Sequence, residues 1–271
     1  MKTLSQDEKN ELFQTATAAA RLAGAILKDH FEKHKEISYK GRINIVTDVD
    51  YRSEEEIINL IKSRYPEHDI IAEESNNEII GSPFRWVIDP LDGTVNYAHD
   101  FPFFAVSIAL EINGEIEIGI VYNPIMDEFF HARKGEGAFL NNVPISVSKT
   151  NNLEKSLLAT GFPYDIRESS HNLAHFNHLI KLAQGIRRPG SAALDICYCA
   201  MGRFDGYWEI TILPWDIAAG ILIVTEAGGI VSKLNGEPLS IYDKQVVASN
   251  GRIHNELVKE IQTVNKEIDT K

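Results

Sequence analysis

The chain has 271 residues, of which 44% are hydrophobic and 24% are charged. This length and apolar content suffice for one large domain, or two closely packed halves, with an independent core. Lysine and arginine number 27 against 39 aspartate and glutamate residues, so the formal net charge is −12. Because an acidic surface repels nucleic-acid phosphates and no run of five basic residues occurs, we expect no direct nucleic-acid binding.

The first predicted elements are two helices. Apolar residues recur at helical spacing over roughly residues 5–34, which predicts a long amphipathic helix. Arg21 interrupts its most apolar stretch, so this segment is neither a signal peptide nor a membrane span. Ser53 is predicted to cap a second helix, which has three glutamates in its first turn and runs to about Arg64.

The middle of the chain predicts a sheet. Two short apolar runs, Asp69–Ala72 and Phe84–Ile88, are expected to be strands, and each is followed by a carboxylate. From Phe103 to Arg133, apolar and alternating runs are separated by Asn113-Gly114, a strong hairpin signal, and then by Asn123-Pro124. This pattern is typical of a β-meander.

The second half of the chain is predicted to alternate strands with helices. The helices are placed near residues 168–183, 191–202, 215–227 and 252–265. A meander followed by strand–helix alternation predicts an α+β fold in which sheets and helices are layered.

The two cysteines, Cys197 and Cys199, stand two positions apart. On a helix this step directs the side chains roughly 200° apart, which is poor geometry for a disulfide. A CxC pair without further ligands at suitable spacing is also a weak zinc signal. We therefore expect two reduced, packed thiols and a cytoplasmic protein.

Carboxylates cluster at the ends of the predicted elements. In the segment Asp89-Pro90-Leu91-Asp92-Gly93-Thr94, a strand would deliver Asp89 at its carboxyl end, and the turn at Pro90 would return Asp92 beside it. For this segment a metal or phosphate site is favoured over a surface turn, whereas the other acidic segments, taken singly, are more readily solvated side chains or a helix cap. Taken together, they favour one site for a hard cation such as Mg²⁺, which prefers oxygen ligands. The other acidic segments are Thr47-Asp48-Val49-Asp50, Glu73-Glu74-Ser75 and Trp215-Asp216.

These segments, in this order, make the chain similar to the inositol monophosphatase family from about residue 10 to about residue 265. The resemblance implies a layered α/β/α/β/α sandwich of the sugar-phosphatase type. It also implies a single domain over residues 1–271, with a metal-site half at about 1–150 and a substrate-wall half at about 151–271. The matching motifs are Glu73–Ser75, Trp86–Tyr97, Arg133–Ala138, Arg187–Ala193, Pro214–Gly220 and Thr225–Gly229.

The resemblance implies two or three Mg²⁺ ions. Glu73 and Asp89, with the Leu91 carbonyl, would hold one ion. Asp89, Asp92 and Asp216 would hold a second. Divalent ions would also let a protein of this negative charge accept a phosphate, because they invert the local field and activate water. No Ser/His/Asp or Cys/His nucleophile set is evident, so direct attack by water is preferred over a phosphoenzyme.

The resemblance further implies catalytic and substrate-binding residues. Asp48 and Thr94, with Glu73, would activate the attacking water. The backbone N–H groups of Gly93 and Thr94 would hold the phosphate. The sugar or cyclitol would be bound by Asp92, Gly190, Ser191, Ala192 and Glu209.

The implied reaction is hydrolysis of myo-inositol 1-phosphate, a small phosphorylated polyol, by a homodimer that Li⁺ inhibits and that binds no membrane. Alternatives within the superfamily are fructose 1,6-bisphosphate, histidinol phosphate and a 3′-phosphoadenosine nucleotide. An alternative of another class is an accessory protein of the transcription machinery, although an intact carboxylate set disfavours a purely non-catalytic protein.

Two basic clusters are weighed beside this site. His171, His175 and His178 share one face of a predicted helix, and a polar helix face is favoured over a metal site there. Arg187-Arg188 is either structural or meets an anion. If it faces the pocket, a second substrate phosphate becomes possible, and fructose 1,6-bisphosphate is then a candidate.

Overall fold

The structure is a computed structural model that describes residues 4–40, 44–75, 77–162 and 171–269. The helices in this part of the chain are α1 (Gln6–His30), α2 (Asp48–Arg64), α3 (Thr94–Ala98), α4 (His171–Leu179), α5 (Ala192–Ala200), α6 (Pro214–Glu226) and α7 (His254–Asp269), with one 3₁₀ turn at Leu153–Lys155. The strands are β1 (Ile37–Lys40), β2 (Asn44–Thr47), β3 (Asp69–Ala72), β4 (Phe84–Asp92), β5 (Ala105–Ile112), β6 (Glu115–Asn123), β7 (Glu128–Arg133), β8 (Ala138–Leu140), β9 (Val143–Pro144), β10 (Leu157–Thr160), β11 (Gly185–Arg187), β12 (Gly206–Ile210), β13 (Ile230–Ser232) and β14 (Gln245–Ser249).

Helix α1 begins at a capping box. The Ser5 hydroxyl accepts a hydrogen bond from the Glu8 N–H at 3.2 Å, and the Glu8 carboxylate accepts one from the Ser5 N–H at 2.8 Å. This reciprocal pair satisfies two N–H groups that the first helical turn leaves without partners. The helix ends where Phe31 adopts an extended conformation, so it is shorter than the predicted range 5–34.

Helix α2 begins earlier than the sequence predicted. Thr47 is its N-cap, and the carboxylate of Asp50 accepts a hydrogen bond from the Thr47 N–H at 2.9 Å. Ser53 lies buried inside the helix and donates its hydroxyl to the Pro90 carbonyl at 3.2 Å. The prediction of a Ser53 N-cap is therefore wrong, because an acid three residues after Thr47 already caps the helix.

The seven-stranded sheet has the order β3-β4-β5-β6-β7-β8-β9, in which only β3 and β4 run parallel. The predicted meander and its hairpin at Asn113-Gly114 are present, and both turn residues have positive φ angles, 55° and 87°. Such angles match the twist of a two-residue hairpin. Strand β4 continues past the predicted end at Ile88, because its pairing with β5 resumes at Asp92 after a bulge.

The five-stranded sheet has the order β11-β10-β12-β14-β13 and mixes parallel with antiparallel pairs. Helices α5 and α6 lie between the two sheets and share one apolar cluster with both. Helices α1 and α2 cover the outer face of the seven-stranded sheet, and α4 and α7 cover the five-stranded sheet. The layers therefore run α/β/α/β/α, which confirms the predicted α+β layered sandwich.

The remaining predictions about the fold differ in outcome. The predicted helix at 168–183 corresponds to α4, and its first positions, 168–170, lie outside the described residues. Both cysteines are free and buried on α5, as expected. None of the helices in the described ranges has the length and apolar character that a bilayer crossing needs. The division into a metal-site half and a substrate-wall half stays a prediction.

Candidate active site

A cleft of about 310 Å³ lies where loops from both sheets meet. Its wall contains most of the residues that the sequence singled out, whereas Asp48 and Thr94 do not line it. The predicted residues that line it are Glu73, Asp89, Leu91, Asp92, Gly93, Gly190, Ser191, Ala192, Glu209 and Asp216.

The end of strand β4 places two carboxylates in the cleft. The bulge between Asp89 and Asp92 interrupts the ladder with β5, and bulges of this kind redirect side chains. Asp92 is held by the start of helix α5: the Ser191 hydroxyl donates to it at 2.5 Å and the Ala193 N–H at 2.8 Å. The two halves of the chain therefore meet at Asp92.

Helix α6 supplies a third acid, Asp216, in its first turn. The Asp216 carboxylate accepts a hydrogen bond from the Leu213 N–H at 2.8 Å, which holds it near the cleft wall. Pro214 precedes it at the helix start, where its missing N–H costs no hydrogen bond. Pro214 and Asp216 therefore both suit the start of helix α6, and Asp216 also lines the cleft.

Burial and mutual repulsion destabilise the charged forms of these acids. Burial raises the pKa of Asp89 well above its usual range, and the nearby charges of Glu73, Asp92 and Asp216 raise it further. Burial also raises the pKa of Asp216, with Asp92 and Glu73 adding to it, and raises that of Asp92 to about 6. The acids around Asp89 therefore disfavour one another's charged forms.

The oxygen atoms of the acids around Asp89 suit a hard divalent cation. Carboxylate and carbonyl oxygens are what Mg²⁺ prefers, and a cation would relieve the repulsion that raises the pKa of Asp89. Within the described ranges, no three His, Cys, Asp or Glu side chains already stand in an arrangement that could hold a metal ion. The fit therefore rests on donor type and charge and not on a closed coordination shell.

Thr94 is paired with Asp50, and not with Asp48 as we expected. The Thr94 hydroxyl lies 3.1 Å from the Asp50 carboxylate and 3.1 Å from the Leu91 carbonyl, so its proton is donated to one of them at a time. Burial raises the pKa of Asp50 to about 6. Asp48 is exposed and accepts a hydrogen bond from the Glu36 N–H at 3.1 Å.

The position of the helix start explains this correction. Asp48 is the first residue of α2 and points outward, whereas Asp50 turns back toward its own N-cap and toward Thr94. The spacing Thr47-x-x-Asp50 is a capping-box signal that the sequence contains. That signal points to Asp50 as the acid that faces the helix start.

The other end of the cleft contains Glu209 on strand β12. The Tyr207 hydroxyl donates a hydrogen bond to the Glu209 carboxylate, and burial raises the pKa of Glu209 to about 7. Gly161 lies against this carboxylate so closely that any side chain there would overlap it. A glycine at 161 is therefore required for the present position of Glu209.

Two further charged residues line the cleft. Asp195, on helix α5, was not singled out by the sequence; it is buried, and its Oδ1 has no hydrogen-bond partner in the part of the chain that is described. Burial raises its pKa well above the usual range. Arg187 and Arg188 are both exposed, but only Arg188 lines the cleft, whereas Arg187 donates to the Ile186 carbonyl at 3.2 Å.

Two of the three histidines of α4, His175 and His178, have hydrogen-bond partners on another helix. His175 is buried and lies 2.7 Å from the Asn265 side chain, and His178 lies 2.8 Å from the Glu260 carboxylate. Both partners belong to α7, so these histidines join two packed helices. This arrangement agrees with the polar-face interpretation of the sequence.

Comparison with known proteins agrees with this fold. The model of the Inositol monophosphatase family matches residues 8–266. An "Inositol-1-monophosphatase" of Synechocystis sp. is 48% identical over 90% of this chain and 86% of its own length. A "Nus factor SuhB" of Pasteurella multocida is 43% identical over 93% of this chain and 96% of its own. The solved inositol monophosphatase of Anabaena (Nostoc) sp. superposes with a TM-score of 0.86 at 44% identity, covering 94% of this chain and 96% of the other. The resemblance seen in the sequence is thus confirmed, and the chain belongs to the inositol monophosphatase family, which supports a phosphatase.

Proposed function

We propose that this protein is a Mg²⁺-dependent phosphatase of small phosphorylated polyols, with myo-inositol 1-phosphate as substrate. The observation that carries the proposal is the group of acids around Asp89 at one end of an open cleft, where burial and then the charges of its neighbours raise the pKa of Asp89. Such a group repels a phosphate on its own and attracts it once divalent cations are bound. Glu73, Asp89 and the Leu91 carbonyl would hold one ion, and Asp89, Asp92 and Asp216 a second.

Bound Mg²⁺ supplies charge neutralisation and activation of water, which phosphate-monoester hydrolysis requires. The chain supplies the proton acceptor. When the Thr94 hydroxyl donates to Asp50, its oxygen can accept a hydrogen bond from the attacking water. The pKa of Asp50, about 6, suits a general base that works near neutral pH.

Phosphate and alcohol are bound by neighbouring parts of the wall. Gly93 adopts a left-handed conformation, with φ of 95°, and leads into helix α3, so backbone N–H groups at Gly93 and Thr94 are available to a phosphate. Glu209 lines the same cleft and would accept hydrogen bonds from the hydroxyl groups of the polyol. The alcohol and phosphate are released as separate products.

The name of the Synechocystis relative favours an inositol phosphate over other phosphorylated polyols. The test is release of inorganic phosphate by the purified protein, with Mg²⁺ and with EDTA, from a panel of phosphate esters. We expect Mg²⁺-dependent release, fastest from myo-inositol 1-phosphate. Faster turnover of fructose 1,6-bisphosphate, histidinol phosphate or a 3′-phosphoadenosine nucleotide would defeat the inositol assignment, and no release from any of them would defeat the phosphatase.

A second candidate function is a role in a transcription complex. It is favoured by the name Nus factor, which relatives 42–43% identical to this chain carry. The Asp89→Asn variant separates the two functions: if phosphate release is lost but a cellular effect on transcription persists, the protein has a binding role of its own. The absence of nucleic-acid binding, the homodimer and inhibition by Li⁺ stay predictions.

A further inference from the structure

A second groove, of about 440 Å³, lies on the face of the five-stranded sheet that α4 and α7 cover. Glu209 and Ile210 are consecutive in strand β12, and Glu209 lines the cleft whereas Ile210 lines this groove. Because successive side chains of a strand point to opposite faces, the sheet separates the two cavities. Thr211 is the one described residue that lines both. The second cavity, which we call the α4–α7 groove, is lined by three apolar residues and by His171, His175, Thr211, Lys244, Gln245 and Asn265.

The α4–α7 groove differs from the cleft in charge. No acid is present among the described residues of its wall, although the chain has a formal net charge of −12. Lys244 is exposed there, and its ammonium group makes no hydrogen bond or ion pair with the residues that the structure describes. Lys233, by contrast, forms a 3.1 Å ion pair with Glu237. The groove therefore suits an anion and not a cation.

Two side-chain amides of the wall have their oxygen atoms occupied. Oε1 of Gln245 accepts a hydrogen bond from the Leu234 N–H at 3.0 Å, and Oδ1 of Asn265 lies 2.7 Å from Nε2 of His175. The NH₂ group of each amide is thereby left to donate. Together with the ammonium group of Lys244, these groups are donors of the kind that bind the oxygen atoms of an anion.

His175 is the most buried polar residue of this wall, with an exposed fraction of 1%. Burial lowers the pKa of His175, so its ring is neutral at pH 7, and the contact with Oδ1 of Asn265 assigns the single ring proton to Nε2. Nδ1 is then an acceptor, and no described residue donates to it. A buried acceptor without a donor costs free energy, and a ligand hydroxyl group at Nδ1 would remove that cost.

We propose that the α4–α7 groove is a second ligand site, which binds a small organic phosphate that also has hydroxyl groups. Its phosphoryl group would accept hydrogen bonds from Lys244, Gln245 and Asn265, and a hydroxyl group would donate to His175. A phosphoryl group has three terminal oxygens for these three donors, whereas a carboxylate has two.

The apolar residues of the wall, Ile210, Leu234 and Ile268, would contact the carbon chain of the ligand. The acids proposed to hold Mg²⁺ lie in the cleft, so the ligand of the α4–α7 groove is bound and not hydrolysed. The proposal therefore goes beyond the proposed function and does not depend on it.

The competing explanation makes the groove an ordinary polar surface that water covers. Under that explanation, anions interact weakly with any exposed lysine, and hydroxyl groups on the anion make no difference. Under the proposal, binding depends on Lys244 in particular and on the hydroxyl groups of the ligand. Two matched comparisons, of lysines and of ligands, therefore separate the explanations.

The experiment is an NMR titration of ¹⁵N-labelled protein in EDTA, where metal-dependent hydrolysis is absent. The ligands are glycerol 3-phosphate and propyl phosphate, which has the same number of carbon atoms and no hydroxyl group. Kd is obtained from the backbone N–H signals of Thr211, Lys244 and Gln245. We expect saturable shifts of these signals, with propyl phosphate binding roughly fivefold more weakly than glycerol 3-phosphate.

Four variants locate the ligand. Lys244→Gln should weaken both ligands roughly tenfold, because it removes a charged donor. Lys155→Gln, at an exposed lysine outside the groove, should keep the native Kd. His175→Phe should remove the preference for glycerol 3-phosphate, because the phenyl ring has no acceptor for its hydroxyl group. Arg188→Gln, in the cleft, should leave both Kd values unchanged.

The absence of saturable shifts overturns the proposal, as does an equal effect of Lys244→Gln and Lys155→Gln. Equal Kd values for the two ligands in the native protein also overturn it. Loss of binding in Arg188→Gln but not in Lys244→Gln would place the ligand in the cleft and overturn it as well. None of these outcomes involves turnover, so they are decided separately from the release of phosphate that tests the proposed function.

Discussion

Asp48 and Asp50 stand in the same helical turn but have different surroundings. Asp50 is buried beside Thr94, whereas Asp48 is exposed. We expect Asp50→Asn to lower kcat for phosphate release at least roughly 100-fold, because the amide cannot accept a proton. Asp48→Asn should stay within about twofold of the native protein. A larger loss in Asp48→Asn than in Asp50→Asn would contradict the assignment of the base.

The raised pKa of Asp50 also predicts how stability depends on pH. Its folded pKa, about 6, lies above the usual 3.8, so the protonated side chain stabilises the fold at low pH, and this contribution is lost as pH rises through about 6. In EDTA, we expect the free energy of unfolding to lose about 1 kcal/mol from this residue between pH 5 and pH 7.5. Urea unfolding at both pH values measures this loss. The free energy of unfolding should fall less in Asp50→Asn than in the native protein. An equal fall in the two proteins would show that Asp50 is not its source.

At the residue scale, the sequence places an acid correctly where the neighbouring apolar residues fix its position. Asp89 follows an apolar strand and Asp216 opens an apolar helix, so each could be placed from its own segment. The segment Thr-Asp-Val-Asp contains two acids, and only the start of α2 decides which one faces Thr94. The sequence does not indicate Asp195 as a cleft residue, because its position in the cleft depends on how α5 packs between the sheets.

At the element scale, the contact between strand β6 and helix α6 depends on a glycine. A Cβ atom at Gly119 would lie 2.7 Å from the Ala219 carbonyl oxygen, and backbone cannot move aside as a side chain does. We expect Gly119→Ala to lower the free energy of unfolding by about 2 kcal/mol, measured by urea denaturation.

Gly185→Ala is the matched control for that substitution. Gly185 also lies in a strand with an ordinary φ angle, but a Cβ atom there would meet only the end of the Arg187 side chain at 3.3 Å and a methyl group of Leu157 at 3.5 Å. We expect this variant to stay within about 0.5 kcal/mol of the native protein. Equal losses in the two variants would show that the close approach of β6 and α6 is not what requires Gly119.

The elements themselves were predictable where local chemistry decides them. The hairpin at Asn113-Gly114 and the amphipathic α1 follow from turn residues and apolar spacing. The bulge in β4 was not predictable, because it arises from pairing with β5, and a strand ending at Ile88 looks complete from its own residues. That bulge places Asp89 and Asp92 together, so the detail that shapes the site is a tertiary one.

At the scale of the whole molecule, the acids of the cleft should couple metal binding to stability. In EDTA, we expect Asp89→Asn to raise Tm by roughly 2–4 °C, because it removes a buried carboxylate whose neighbours repel it. Mg²⁺ should then raise Tm of the native protein more than that of the variant, because ligand binding stabilises only the fold that binds it. Thermal unfolding with and without Mg²⁺ measures both effects, and Asp48→Asn is the control. If Mg²⁺ raised Tm by the same amount in the native protein, Asp89→Asn and Asp48→Asn, Asp89 would not couple metal binding to stability.

The layered architecture explains why one cleft can combine these groups. The seven-stranded sheet contributes Asp89 and Asp92, while the layer of α5 and α6 contributes Asp216 and the backbone that holds Asp92. The proposed metal ligands therefore come from two layers, the seven-stranded sheet and helix α6, and Glu209 comes from the five-stranded sheet. Substitutions in one layer should therefore affect the other through Asp92.

The measurement that tests the central claim most directly is the dependence of phosphate release on Mg²⁺, with myo-inositol 1-phosphate as substrate, for the native protein and for Asp89→Asn. The account predicts release that rises with Mg²⁺ and saturates in the native protein, and a loss of at least roughly 1,000-fold in the variant. Release that is the same in EDTA, or that survives Asp89→Asn at the native rate, would contradict a catalytic metal site built on Asp89.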